Sequence, residues 1–182
     1  MLSEDDGKYK FINILDDDKK MELIFELFIY KFYDIELKNE YKVYYQQHLD
    51  WNLENGPQNI LPSMRMDIVL YAIHSKKTII IDTKYYADYL KKSYYGQEDK
   101  KSLISGNLYQ INAYMNNINT DNELIGMLLY PMPYSEKEIS EKYNIDVVSN
   151  GVAKRAILQI QTINLSNDWR NIKEELLNII FL

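Results

Sequence analysis

Between Met21 and Tyr33 nearly every residue is apolar or aromatic, and Glu22, Glu26 and Lys31 are the only charges in that stretch. A run apolar on all sides predicts a buried helix, here over about residues 18 to 37. Tyr41, Val43 and Tyr45 then fall at alternate positions, which predicts a strand over 41–49. Asn55-Gly56-Pro57 marks a turn. Two further strands are predicted over 65–73 and 78–84, the second carrying the β-forming run Thr78-Ile79-Ile80-Ile81. The join at His74–Lys77 is short enough for a hairpin. Residues 86 to 100, rich in Lys and Tyr, predict an exposed mobile loop, followed by a helix over roughly 101 to 117. Glu123–Tyr130 reads as a strand ending at Pro131 and Pro133, and a loop runs on through Asn150-Gly151. A last strand is expected over 153–163. Ser166 is the expected N-cap of a final amphipathic helix whose Trp169, Ile172, Leu176 and Ile179 share one buried face. The order helix, three strands, helix, two strands, helix predicts an α/β fold with a mixed central sheet flanked by helices.

The 182 residues fit one domain, 1–182, with room for an apolar core. The absence of cysteine excludes a disulfide framework, a cysteine nucleophile and a cysteine-ligated metal. The N-terminus is acidic and polar, and no apolar run approaches the roughly 20 residues of a membrane span. These features predict a cytoplasmic chain with no membrane association. The net charge of −6 is unevenly spread: residues 76–101 carry +3 and the remainder −9. Lys91, Lys92, Lys100 and Lys101 in that basic stretch are candidate nucleic-acid contacts; the alternative is a solvated loop. Seventeen tyrosines reflect composition bias or base stacking, and the cluster Tyr85–Tyr95 fits strand-end packing or stacking on unpaired bases. His48 and His74 have no partner at a ligand or triad spacing, and no Gly-rich phosphate loop is present.

The chemistry concentrates on two predicted strands. Asp82 follows three isoleucines, and its two-residue spacing from Lys84 puts both on one face of a strand. If the preceding strand pairs with it as a hairpin, Asp67 can lie beside Asp82. Two carboxylates so placed would bind a hard divalent cation, Mg²⁺ or Mn²⁺. Such a cation would hold a scissile phosphate and acidify a water, with Lys84 stabilising developing charge. Glu26 lies among Phe25, Leu27, Phe28 and Ile29, where an unpaired carboxylate is costly. Glu22 sits one turn before it and repels it. Either a nearby cation or lysine accounts for Glu26, or it belongs to a narrow polar stripe facing solvent. Gln110 and Tyr114, four apart, share a helix face with Asn107.

Together, Asp67, Asp82-Thr83-Lys84 and Gln110-x-x-x-Tyr114 resemble the RecB-type branch of the PD-(D/E)xK nucleases. The wording of four segments is closer still to the McrC proteins, nuclease subunits of McrBC-type modification-dependent restriction systems. Those segments are Ile24-Phe25-Glu26-Leu27-Phe28, Met64-Arg65-Met66-Asp67-Ile68-Val69-Leu70, Ile81-Asp82-Thr83-Lys84-Tyr85 and Leu108-Tyr109-Gln110-Ile111-Asn112-Ala113-Tyr114. Asp168-Trp169-Arg170 has the same flavour, so the resemblance spans about residues 20 to 175.

The resemblance implies a restriction-endonuclease-like fold and a Mg²⁺-dependent DNA endonuclease. Asp67, Asp82 and Glu26 would be metal ligands, Lys84 the catalytic lysine, and Gln110 and Tyr114 supports of the site. It also implies a McrB-like AAA+ GTPase as partner. Two departures stand out: Met66 replaces the family's proline before the first Asp, and the family's N-terminal partner-docking region is expected to be absent. The competing readings are a catalytically silent domain of the same fold, serving as a structural or DNA-binding module, and a nuclease acting on RNA or a recombination intermediate.

Overall fold

The computed structural model describes residues 17–53, 55–86, 90–92, 101–132, 137–149 and 151–181. Helix α1 (Asp18–Glu36) starts where the Asp17 carboxylate accepts from the Lys20 amide at 3.2 Å, satisfying one of the orphan donors of the first turn. Strand β1 (Tyr41–Leu49) follows, then β2 (Met64–Ala72), β3 (Lys77–Thr83), β4 (Leu90–Lys92) and β5 (Lys101–Leu103). Helix α2 (Ser105–Asn117) leads into β6 (Glu123–Pro131), β7 (Ser140–Ser149), β8 (Val152–Ile163) and helix α3 (Trp169–Phe181).

Six strands form one mixed sheet in the order β1-β2-β3-β6-β8-β7, and β4 and β5 form a separate antiparallel pair. β3, β6 and β8 run parallel at the centre; β1, β2 and β7 are antiparallel to their neighbours. The central strands are covered on both faces, which is why β3 and β6 read as unbroken apolar runs. On one face α1 and α3 pack Phe25, Ile29, Phe32, Leu176 and Ile179 onto Ile68, Leu70, Ile79, Ile81 and Met127. On the other, α2 packs Ile111, Tyr114 and Met115 onto Met66, Val69, Ile80, Leu128 and Tyr130. Helix α2 approaches β6 closely at Gly126, where a Cβ would lie 2.2 Å from Met115 Sδ and would force that side chain to shift. Among the described residues no helix is long and apolar enough to cross a membrane.

The architecture agrees with the expected α/β fold, a mixed sheet flanked by helices and compatible with the restriction-endonuclease-like arrangement. Several expectations change. Helix α1 is not buried all round: Leu23, Ile24 and Leu27 are well exposed, and one face carrying Phe25, Glu26, Ile29, Phe32 and Tyr33 is buried. Part of the loop expected over 86–100 is strand β4, and the helix expected from 101 begins at Ser105 because β5 occupies 101–103. The loop expected after Pro133 contains β7, an edge strand paired along its length with β8. The N-cap of α3 is Asp168, not Ser166. Its Oδ1 accepts from the Arg170 and Asn171 amides at 2.9 and 3.1 Å, while Ser166 Oγ bonds Asn164 Oδ1 in the loop before it. Trp169 is half exposed and packs its ring edge-on against Phe28 and Phe32, so the buried face of α3 is Ile172, Leu176, Ile179 and Ile180.

Candidate active site

The β2–β3 hairpin pairs Ile68 with Ile81, and one further step in that register sets Asp67 opposite Asp82. There the ladder ends and the strands part. The Asp67 carboxylate takes over the amide left without a strand partner: Oδ2 accepts from Thr83 N at 2.9 Å and from Thr83 Oγ1 at 3.2 Å. Lys84 N turns the other way and donates to Leu129 O of β6 at 3.0 Å. Asp82 thus sits at the end of a central parallel strand, fully buried, with Lys84 beside it at 7% exposure.

Lys84 Nζ lies 2.8 Å from Asp82 Oδ2 as an ion pair and, among the described residues, is the one donor to this carboxylate; Oδ1 accepts no hydrogen bond from them. A buried carboxylate so poorly served is expensive. Burial pushes its carboxyl up to about 7; Lys84 opposes that rise, and Asp67 and Glu26 reinforce it with their negative charge. Asp67 is also raised, chiefly by desolvation, against the pull of Lys84 and the Thr83 hydrogen bonds. Lys84 is held charged, above the ordinary lysine value, because Asp82 and Asp67 together outweigh its desolvation.

Glu26 comes to this group from α1, at 8% exposure. Desolvation raises its carboxyl, and the charge of Asp67 raises it further. Gln46 Nε2 donates to Glu26 Oε1 and the Tyr45 hydroxyl bonds the same carboxylate, both from β1. Glu22 reaches the group electrostatically and raises Asp67. Asp82 and Asp67 therefore act on the Lys84 ammonium, while Glu26 and Glu22 add like charge to those two carboxyls. Among the described residues no three acidic side chains stand close enough together, as placed, to hold a metal ion; Lys84 engages Asp82 instead.

From the opposite face, Tyr114 on α2 donates its hydroxyl to Arg65 O at 2.8 Å and accepts from Gln110 Nε2 at 2.7 Å. Tyr114 is buried and Gln110 exposed. The pair does not hydrogen-bond the carboxylates; it pins the backbone of β2 two residues before Asp67. Met66, in the place of the family's proline, is fully buried against α2. Asn107 continues the same helix face, donating to the Tyr130 hydroxyl at 3.1 Å and accepting from Tyr86 at 3.4 Å. The structure thus brings Glu26, Asp67, Asp82 and Lys84 into one group, with Tyr114 and Gln110 behind it.

Of the four lysines expected to contact nucleic acid, Lys91 and Lys92 lie on β4 and Lys101 on β5, but their side chains fall outside the described residues, as does the whole of Lys100. Sequence reasoning missed Tyr45, Gln46 and Thr83. Thr83 is legible in retrospect as the middle residue of the Asp-x-Lys tripeptide. Nothing in the sequence marks Gln46.

A family model described as the McrBC 5-methylcytosine restriction system component matches residues 9–131, the stretch that holds Glu26, Asp67, Asp82, Lys84, Gln110 and Tyr114. The type IV methyl-directed restriction enzyme EcoKMcrBC of Escherichia coli (strain K12) is 28% identical over 178 residues, covering 95% of this chain and 46% of that protein. The chain spans about half the length of the curated relative it matches. With the family model covering more than half of the sequence and the McrC-like segments converging in space, the chain belongs to the McrBC 5-methylcytosine restriction system component family.

Proposed function

We propose that this chain is the DNA-cleaving part of a restriction system, a PD-(D/E)xK endonuclease domain of the McrC kind that hydrolyses phosphodiester bonds with a divalent cation. The observation that supports this best is the excess of buried acid around Lys84. Asp82 has two buried oxygens, one served only by the Lys84 ammonium and the other by no donor among the described residues, and Asp67, Glu26 and Glu22 add like charge. An all-oxygen, net-negative donor set fits Mg²⁺ or Mn²⁺ and suits no softer metal. Asp67, Asp82 and Glu26 would hold the cation. Once bound, it would neutralise phosphate charge and lower the pKa of a water.

The chain's own residues supply the rest. Lys84, fixed by Asp82 and permanently charged, faces the developing negative charge on a phosphate oxygen and stabilises it. Thr83 keeps the Asp67 carboxylate in one orientation through two hydrogen bonds. Tyr114 and Gln110 hold the β2 backbone so that Asp67 stays opposite Asp82. The central strands, packed on both faces, make that placement rigid.

The partner in this reading is a McrB-like AAA+ GTPase that selects the modified site. A chain of net charge −6 has little general attraction for duplex DNA, so its own contacts, from Lys91, Lys92, Lys100 and Lys101, are weak and salt-sensitive. Plasmid cleavage in Mg²⁺ with that partner tests the proposal. Asp82→Ala and Lys84→Ala are expected to lose cleavage entirely while retaining the wild-type circular dichroism spectrum. Full activity of Asp82→Ala would refute the mechanism, and cleavage-dead wild type in the reconstituted complex would favour the silent-domain alternative.

A further inference from the structure

We infer that Gln46 is a positioning residue that orients the Glu26 carboxylate for cation binding, and that the break in strand β1 serves to aim it. Gln46 is the one non-glycine residue with positive φ among the described residues, at 52°. It lies in the middle of a nine-residue strand, where extended backbone is otherwise continuous. The register of β1 with β2 is the same on either side, Tyr45 with Ile68 and Gln47 with Met66. No residue has been inserted. One pair has simply dropped out of the ladder, and that pair is Gln46 with Asp67.

The left-handed conformation has a geometric consequence. Successive side chains of a strand point to opposite faces, but here two neighbours both reach α1. Tyr45 stacks on Tyr30, with ring centroids 4.7 Å apart and planes at 27°, and Gln46 donates to Glu26. Beyond the break the faces have exchanged: Gln47 hydrogen-bonds Tyr71 and Leu49 packs against the cluster under α2. β2 makes the same exchange at Asp67, with Met66 against α2 and Ile68 against α1. Gln46 is thus the residue across from Asp67 in the β1–β2 register, and its amide meets the Glu26 carboxylate, on which the charge of Asp67 also acts.

A left-handed residue in a strand is costly for any side chain, and glycine would occupy the position with less strain. What glycine would lose is the donor. Its chemistry is also informative. A primary amide orients a carboxylate without neutralising it, whereas a lysine or arginine would form an ion pair and compete with any cation. Gln46 thus leaves the negative charge of Glu26 available while restricting its rotamers.

This inference rests on the reading that the acidic group binds a divalent cation, and the experiment separates the two. Mn²⁺ binding is measured by isothermal calorimetry on the full chain for wild type, Gln46→Gly, Gln46→Asn and Glu26→Gln, with thermal melts of each in EDTA. Gln46→Gly and Gln46→Asn both accept the left-handed backbone, and either serves if the other fails to fold. The expected result is Mn²⁺ affinity about 10-fold weaker in both, approaching that of Glu26→Gln. Melting temperatures in EDTA are expected to stay within about 3 °C of wild type. Wild-type Mn²⁺ affinity in Gln46→Gly would overturn the positioning role while leaving the cation reading intact. A lower melting temperature with unchanged affinity would make Gln46 purely architectural and also overturn it. Absence of Mn²⁺ binding by wild type itself would overturn both.

Discussion

Replacing Asp82 with Asn should make the metal-free protein more stable at neutral pH, the reverse of what loss of a charged residue near a lysine ordinarily does. Asp82 is fully buried and its carboxyl is raised from 3.8 to about 7 in the folded state. A group whose folded pKa lies above its unfolded value contributes stability below the unfolded pKa and loses it as pH rises through the folded one. Wild type should therefore weaken steadily between about pH 4 and pH 8. At about 1.4 kcal/mol per pH unit, the rise corresponds to roughly 4 kcal/mol at most. Part of this is returned in the variant, because Lys84 keeps only Asp67 as a neutralising partner. The expected net gain at pH 8 in EDTA is about 1–2 kcal/mol, or roughly 2–8 °C in melting temperature. The gain should fade towards pH 4, where the wild-type carboxyl is protonated in the folded chain. Thermal melts across that range, with and without Mg²⁺, test it: the cation should raise the wild-type melting temperature near neutrality and leave the Asn variant unmoved. An Asn variant less stable than wild type at pH 8 in EDTA, or a difference that does not vary with pH, would refute the account of Asp82 as a buried, under-served charge.

Tyr114→Phe removes the hydroxyl that anchors Arg65 O, at a cost of about 1 kcal/mol. Cleavage should fall about 10-fold as Asp67 loosens, and unchanged cleavage in the reconstituted complex would limit Tyr114 to packing. Gly126→Ala forces a methyl against Met115 Sδ, so Met115 and Ile111 must give way on α2, and denaturant melts should show a loss of about 1–3 kcal/mol. A neutral Gly126→Ala would mean that Met115 repacks freely and that α2 is not held at this distance.

The parts of the fold that were legible in the sequence are those where one physical term dominates. β3 and β6 are buried on both faces, so burial alone writes a long apolar run. The β7 strand shows the opposite case. Its outer face is solvated and it lies at the sheet edge, so its mean hydropathy is low. Yet Tyr143, Ile145 and Val147 do alternate, and Asn150-Gly151 before Val152 is a strong hairpin signal, with Gly151 at φ +73°. The polar neighbours along that strand mask its period of two. Ser166 and Asp168 are both good cap residues two apart, and local sequence does not choose between them; Asn164 does, by engaging Ser166 in the loop. Of the site, Asp67, Asp82 and Lys84 were visible because an acid after three isoleucines violates burial. Gln46 was invisible, because the role inferred for it depends on a backbone angle that glutamine rarely adopts and on a carboxylate twenty residues away.

Each of these residues breaks a different local rule. Glu26 is a carboxylate on the buried face of a helix. Gln46 interrupts a strand with a left-handed angle. Asp67 ends a hairpin ladder early, and Asp82 is buried without adequate donors. Scattered through a structure, such faults are tolerated one at a time where the surrounding core overcompensates, and there is no reason for them to meet. Here they lie on four separate elements, α1, β1, β2 and β3, and meet at one end of the central strands. The rest of the core shows little of this strain: β6 is apolar from Leu124 to Pro131, and a Gln159 oxygen is the only other buried side-chain atom without a partner among the described residues. A stable scaffold carrying a concentrated set of unfavourable choices is what a cation-requiring site demands. On the proposed reading, stability is surrendered where a bound cation would restore it, and the pH dependence expected of Asp82 would be the measurable trace of that exchange.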